Sequence, residues 1–60
     1  MKRFYVKAKT AKGKVIGYAV YDEIGGMESE HGSFTVEQYG VDVALRLANT
    51  LRDDLNKKIP

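Results

Sequence analysis

The sequence predicts an α+β fold, a three-stranded antiparallel meander packed against one carboxyl-terminal helix in the order β-β-β-α. Three observations carry this. Apolar and polar residues alternate through the opening segment, two glycine-bearing turns separate three strand-like stretches, and apolar residues from Val36 onward recur at helical spacing. Sixty residues without cysteine make one domain, residues 1–60, with no disulfide or Cys/His zinc spacing to support it. Its core has to come from Val, Leu, Ile, Ala and six aromatics, so dimerisation is an expected way to bury more apolar surface.

The first strand is expected over about Lys2 to Thr10, where Phe4, Val6 and Ala8 alternate with Arg3, Tyr5, Lys7 and Lys9. Lys12-Gly13 supplies a tight turn, glycine accepting the positive φ that two-residue hairpins require. The second strand covers Lys14 to Ile24, rich in Val, Ile and Tyr. Gly25-Gly26 turns the chain again, and the third strand covers Met27 to Phe34. Thr35, with Gln38 three residues on, has the capping-box pattern of a helix start. Val36, Tyr39, Val43, Leu47, Leu51 and Leu55 then form one apolar stripe. Gly40 interrupts it at about 1 kcal/mol relative to alanine, so the helix starts either at Val36 or after Gly40. Lys57 and Lys58 suit its carboxyl end, and Pro60 closes the chain.

Two-residue turns also predict a register. Ala11 faces Lys14 and Ile24 faces Met27. Counting outward puts Ala8 opposite Gly17, Val6 opposite Ala19 and Phe4 opposite Tyr21, with Gly32 against Ala19 and Phe34 against Gly17. The helix-facing side then holds Phe4, Val6, Ala8, Val15, Gly17, Ala19, Tyr21, Gly32 and Phe34, a floor of small residues for the leucine stripe. The other side holds Arg3, Tyr5, Lys7, Lys9, Ile16, Tyr18, Val20, Ile24, Met27, His31 and Ser33, with Arg3 across from Asp22 as an exposed pair. A one-residue bulge at either turn flips part of this assignment.

Charge is divided along the chain. The first twenty residues carry Lys2, Arg3, Lys7, Lys9, Lys12 and Lys14 and no acid, whereas eight acids follow from Asp22 onward, so the net +2 conceals a basic opening and an acidic remainder. Arg3, Lys7 and Lys9, separated by four and by two residues, project from one sheet face over about 20 Å, with Tyr5 and Tyr18 interleaved. This is the expected nucleic-acid-binding set for duplex DNA: cations on phosphates, other side chains on base edges. Ile16, Tyr18, Val20, Ile24 and Met27 form the second expected surface, an apolar patch for a protein partner or a homodimer.

Other chemistry has little footing. Asp22, Glu23, Glu28, Glu30 and His31 gather around the second turn without calcium-loop spacing, so no metal site is assigned. His31 has no cysteine nucleophile beside it, Ser29 and Ser33 have no triad context, and Gly25-Gly26 is not a phosphate loop. No catalytic residue and no cofactor are assigned, and a non-enzyme is expected. No apolar run approaches membrane length, and the opening lacks a signal-peptide apolar stretch, so the expectation is a cytoplasmic protein with no membrane partner.

The stretch Gly32-Ser33-Phe34-Thr35, followed by Glu37-Gln38 and Ala44-Leu45-Arg46-Leu47-Ala48, resembles the third-strand exit into an alanine-bearing helix of AP2-type DNA-binding domains and of the arm-binding domains of tyrosine integrases. The chain also resembles small sheet-plus-helix proteins of Gram-positive bacteria and their phages. The first resemblance implies a sheet entering the major groove through Arg3, Tyr5, Lys7, Lys9 and Tyr18. The second and third strands lack the arginines and tryptophans of that family, and their shared hairpin is acidic. The sequence thus points to a small non-enzymatic binding module for DNA through its basic sheet face, with a protein-interaction or homodimerisation module as the alternative.

Overall fold

The computed structural model describes residues 3–58 of the 60-residue chain. It has three antiparallel strands, β1 (Tyr5–Ala11), β2 (Lys14–Ile24) and β3 (Met27–Thr35), in the spatial order β1-β2-β3. A single helical turn, α1 (Val36–Tyr39), and a long helix, α2 (Val41–Lys57), follow. This is the expected β-β-β-α architecture. The expected strand start at Lys2 and the closing Pro60 lie outside the described residues.

Both hairpins close as counted, with Ala11 paired to Lys14 and Ile24 to Met27. Their turns use left-handed backbone at Lys12 (φ 52°) and Gly13 (φ 78°), and at Gly25 (φ 60°) and Gly26 (φ 82°). Two left-handed residues in succession give the turn a twist that matches the strands leaving it.

Beyond the turns the register differs from the count by one residue on each side of β2. Lys9 pairs with Gly17 but Thr10 pairs with Val15, which leaves Ile16 as an extra residue. Val20 pairs with Gly32 but Tyr21 pairs with Glu30, which leaves His31 extra on β3. Each bulge reverses the parity of one strand against its neighbour. The two reversals cancel between β1 and β3, so Val6 and Ala8 still share a face with Gly32 and Phe34. The central strand is turned over: Val6 lies opposite Val20 and Ala8 opposite Tyr18, while Lys7 lies opposite Ala19.

This corrects the expected placement of five β2 residues, Gly17 to Tyr21. Val20 is at 0% exposure, the largest side chain wholly removed from water, and so belongs to the core and not to an outer apolar patch. Tyr18, paired with Ala8 and Phe34, lies half-buried on the helix side, away from Lys7 and Lys9. Gly17, Ala19 and Tyr21 take the outer face instead.

Thr35 keeps extended backbone (φ −88°, ψ 145°), and its Oγ1 accepts the Gln38 N–H at 3.2 Å, capping α1. Gly40 then adopts φ 82° and ψ 162°, where a side chain would be strained. Its N–H closes α1 on the Val36 carbonyl at 2.8 Å, and its own carbonyl accepts the Ala44 N–H at 3.0 Å to open α2. Both expected starts are therefore used: one turn from Val36, then a continuous helix from Val41.

α2 meets the sheet through Ala44 and Ala48, one turn apart and both fully buried. Their small size lets the helix backbone approach closely. Leu51 fits where Gly32 lacks a side chain; a Cβ there would stand 2.5 Å from Leu51 Cδ2. Leu47, Leu51 and Leu55 are only half-buried. The result is a slab measuring 35 × 23 × 13 Å, with one sheet layer, one helix layer and a core one side chain deep.

Candidate interaction surfaces

The outer face of the sheet is built from every second residue of three strands: Tyr5, Lys7 and Lys9 from β1, Gly17, Ala19 and Tyr21 from β2, and Glu28 and Glu30 from β3. With small residues at Gly17 and Ala19, side chains from the two edge strands reach across the centre. Lys7 Nζ contacts both Glu28 carboxylate oxygens, at 3.0 and 3.1 Å, and Lys9 pairs with Glu30. The Tyr5 hydroxyl donates to Glu28 Oε2 and the Tyr21 hydroxyl to Glu30 Oε1. Tyr5 and Tyr21 stack at 6.3 Å, and the Lys7 ammonium lies 5.3 Å from the Tyr21 ring centroid. The hydrogen bond to Glu28 and the carboxylates nearby push the Tyr5 phenol up to about 12. The Tyr5 and Lys7 hydrogen bonds hold the Glu28 carboxyl low, and those from Lys9 and Tyr21 do the same for Glu30. The hydrogen bond to Glu30 likewise raises the Lys9 ammonium. Two of the three cations expected to meet DNA therefore already face carboxylates of the same molecule.

The third, Arg3, reaches the helix side. Its Nε and one terminal guanidinium nitrogen lie 2.9 and 2.8 Å from Asp22 Oδ2. His31 Nε2 lies 2.6 Å from the other oxygen, donating to the ionised carboxylate. The His31 bond first, and then Arg3, hold the Asp22 carboxyl below its usual range, against the opposing effect of burial. The expected Arg3–Asp22 pair forms, but Asp22 is 2% exposed and the pair is buried on its carboxylate side. His31 reaches Asp22 because the β3 bulge re-aims it, and its ring meets Phe4 edge-on at 4.9 Å.

The acids around the second turn thus separate, with Asp22 and His31 on the helix side and Glu28 and Glu30 on the outer face. Among the described residues no three His, Asp or Glu side chains converge as metal ligands. No helix among them is long and apolar enough to cross a membrane.

The apolar residues expected on one patch are dispersed. Ile24 and Met27, 61% and 76% exposed, form the tip of the second hairpin. Ile16, 48% exposed, lies at the other end of the sheet, in a shallow depression lined by Lys14, Val15, Ile16, Thr35, Val36 and Glu37. Thus β2 and the first turn of α1 build an apolar hollow that none of the strand patterns indicated. Tyr39 and Val41 are also exposed apolar residues of the adjoining α1–α2 segment. Neither Lys14 nor Glu37 takes part in an ion pair among the described residues.

No protein-family model, curated protein or solved structure matches this chain. The likeness to AP2-type and arm-binding domains therefore rests on element order and short residue stretches.

Proposed function

We propose that the chain is a small non-enzymatic protein-interaction module whose contact surface is the hollow formed by Val15, Ile16 and Val36. One observation carries this reading: the first bulge frees Ile16 from strand pairing and leaves it half-exposed beside two more apolar side chains, where among the described residues only one side chain larger than alanine is fully buried. An apolar centre bordered by charged residues is the layout of a protein contact site, a hydrophobic core within a polar rim.

Duplex DNA is served less well. Arg3, Lys7 and Lys9 are paired to Asp22, Glu28 and Glu30, and Tyr18 is on the helix side. A phosphate approaching the sheet would have to displace two carboxylates of the outer face, and their charge opposes it.

A photo-crosslinking residue placed at position 16 tests the reading in the cell of origin. It is expected to give a covalent adduct with a protein, whereas the same residue at Ser33 on the outer face gives none. Equal yields at the two positions, or no adduct at 16, would overturn it.

A further inference from the structure

We infer that the occupant of this hollow is a second copy of the same chain, joined across a two-fold axis with Lys14 of each protomer against Glu37 of the other. The inference rests on the reading of the hollow as a contact surface and adds the identity of the partner.

Area is the first argument. The chain exposes 4475 Å², whereas a compact monomer of 6.7 kDa is expected to expose about 3,900 Å². The exposed apolar side chains Val15, Ile16, Tyr39 and Val41, in and beside the hollow, belong to that surplus. Two copies together carry a surplus of about 1,100 Å², comparable with the roughly 1,000 Å² that a specific interface buries.

Charge is the second. A two-fold interface is self-complementary, so one patch must carry both members of every contact it makes. This hollow has an apolar centre, Val15, Ile16 and Val36, bordered by one lysine and one glutamate that do not pair with each other within the chain. A partner of uniform charge would match one border residue and repel the other. A second copy turned through 180° matches both.

The sheet edges offer a poorer route to the same end. Lys7 and Lys9 occupy β1, and β3 has Glu28, Glu30 and a bulge, all features that discourage strand-to-strand addition.

Sedimentation of the full chain from low micromolar to millimolar concentration is the test. The average mass should rise from one chain towards two. Ile16→Asp should remain monomeric where the parent is half dimeric. Lys14→Glu and Glu37→Lys should each weaken association by about 3- to 10-fold, while the double variant returns to within about 3-fold of the parent. Circular dichroism checks that each variant is folded, and the surface charge variants keep the test valid if Ile16→Asp is not. A strict monomer throughout, or a dimer whose double charge exchange fails to recover, would overturn the inference. A strict monomer that still yields an adduct with a different protein at position 16 would remove the second copy alone. Absence of both dimer and adduct would remove the contact surface as well.

Discussion

The side chain of Asn56 grips the backbone of Phe4 from both sides. Its Oδ1 accepts the N–H of Phe4 at 2.9 Å and that of Arg3 at 3.0 Å, and its Nδ2 donates to the Phe4 carbonyl at 3.2 Å. One amide thereby satisfies the backbone just before β1 and fastens it to the last turn of α2, 52 residues away in sequence.

Asn56→Ala is expected to lower stability by about 1–2 kcal/mol, because three hydrogen bonds are lost and the freed groups lie partly in water. That is a large part of the roughly 3–9 kcal/mol available to a domain of this size. Amide exchange locates the effect: the Arg3 and Phe4 amides should exchange faster by more than the loss of global stability accounts for, whereas Val20 should follow the global change alone.

Stability should fall at both ends of the pH scale, for opposite reasons. Asp22, Glu28 and Glu30 have lowered values in the fold, so their contribution is whole above about pH 4 and drains as pH falls through those values. Tyr5 is raised to about 12, so its contribution is whole below about pH 10 and drains as pH rises further. Urea unfolding across pH should show both limbs. Asp22→Asn should flatten the acid limb and lower stability at neutrality, and Tyr5→Phe should flatten the alkaline one. In a phenolate absorbance titration, one of the four tyrosines should ionise late, and that component should vanish in Tyr5→Phe.

Two strand glycines should differ in their tolerance of alanine. A Cβ at Gly17 would stand 2.8 Å from the backbone carbonyl oxygen of Phe34, whereas at Gly32 it meets only the end of the Leu51 side chain. Backbone yields less than a side-chain methyl, so Gly17→Ala is expected to cost more within the usual overpacking range of about 1–3 kcal/mol. Denaturant midpoints of the two variants, measured side by side, rank them; the reverse order would mean that Leu51 has no room to move.

Titration with duplex DNA at low salt is expected to leave the amide signals of Arg3, Lys7 and Lys9 in place. Shifts at these residues that fade steeply with added salt would restore the nucleic-acid reading. Glu28→Gln with Glu30→Gln is the informative companion: releasing both lysines should increase any DNA affinity.

The sequence indicated the elements far better than the faces. Glycine at each turn placed both hairpins, and Thr35 and Gly40 placed the helix boundaries, because these features depend on local backbone preferences. The orientation of β2 was hidden for a specific reason: from Val15 to Tyr21 it runs through apolar or small residues without alternation, so periodicity contains no information about which side is buried. A usable signal was present in the strand-interior glycines. Gly17 adjoins the Ile16 bulge and Gly32 the His31 bulge, and an isolated glycine within a strand marks such irregularities. The grip of Asn56 on Phe4 and the pairing of His31 with Asp22 had no comparable signal, since each joins residues whose proximity depends on the finished fold.

The two bulges also separate tasks within the sheet. Ile16 and His31 are the residues left over once every ladder partner has been assigned, and each is turned towards something other than a strand: the hollow in one case, the Asp22 carboxylate in the other. Neither residue has a ladder partner, so the pairing on both sides of each bulge is made by other residues. The scaffold thus holds two positions outside the ladder, one open to whatever the molecule meets and the other committed to an interior carboxylate.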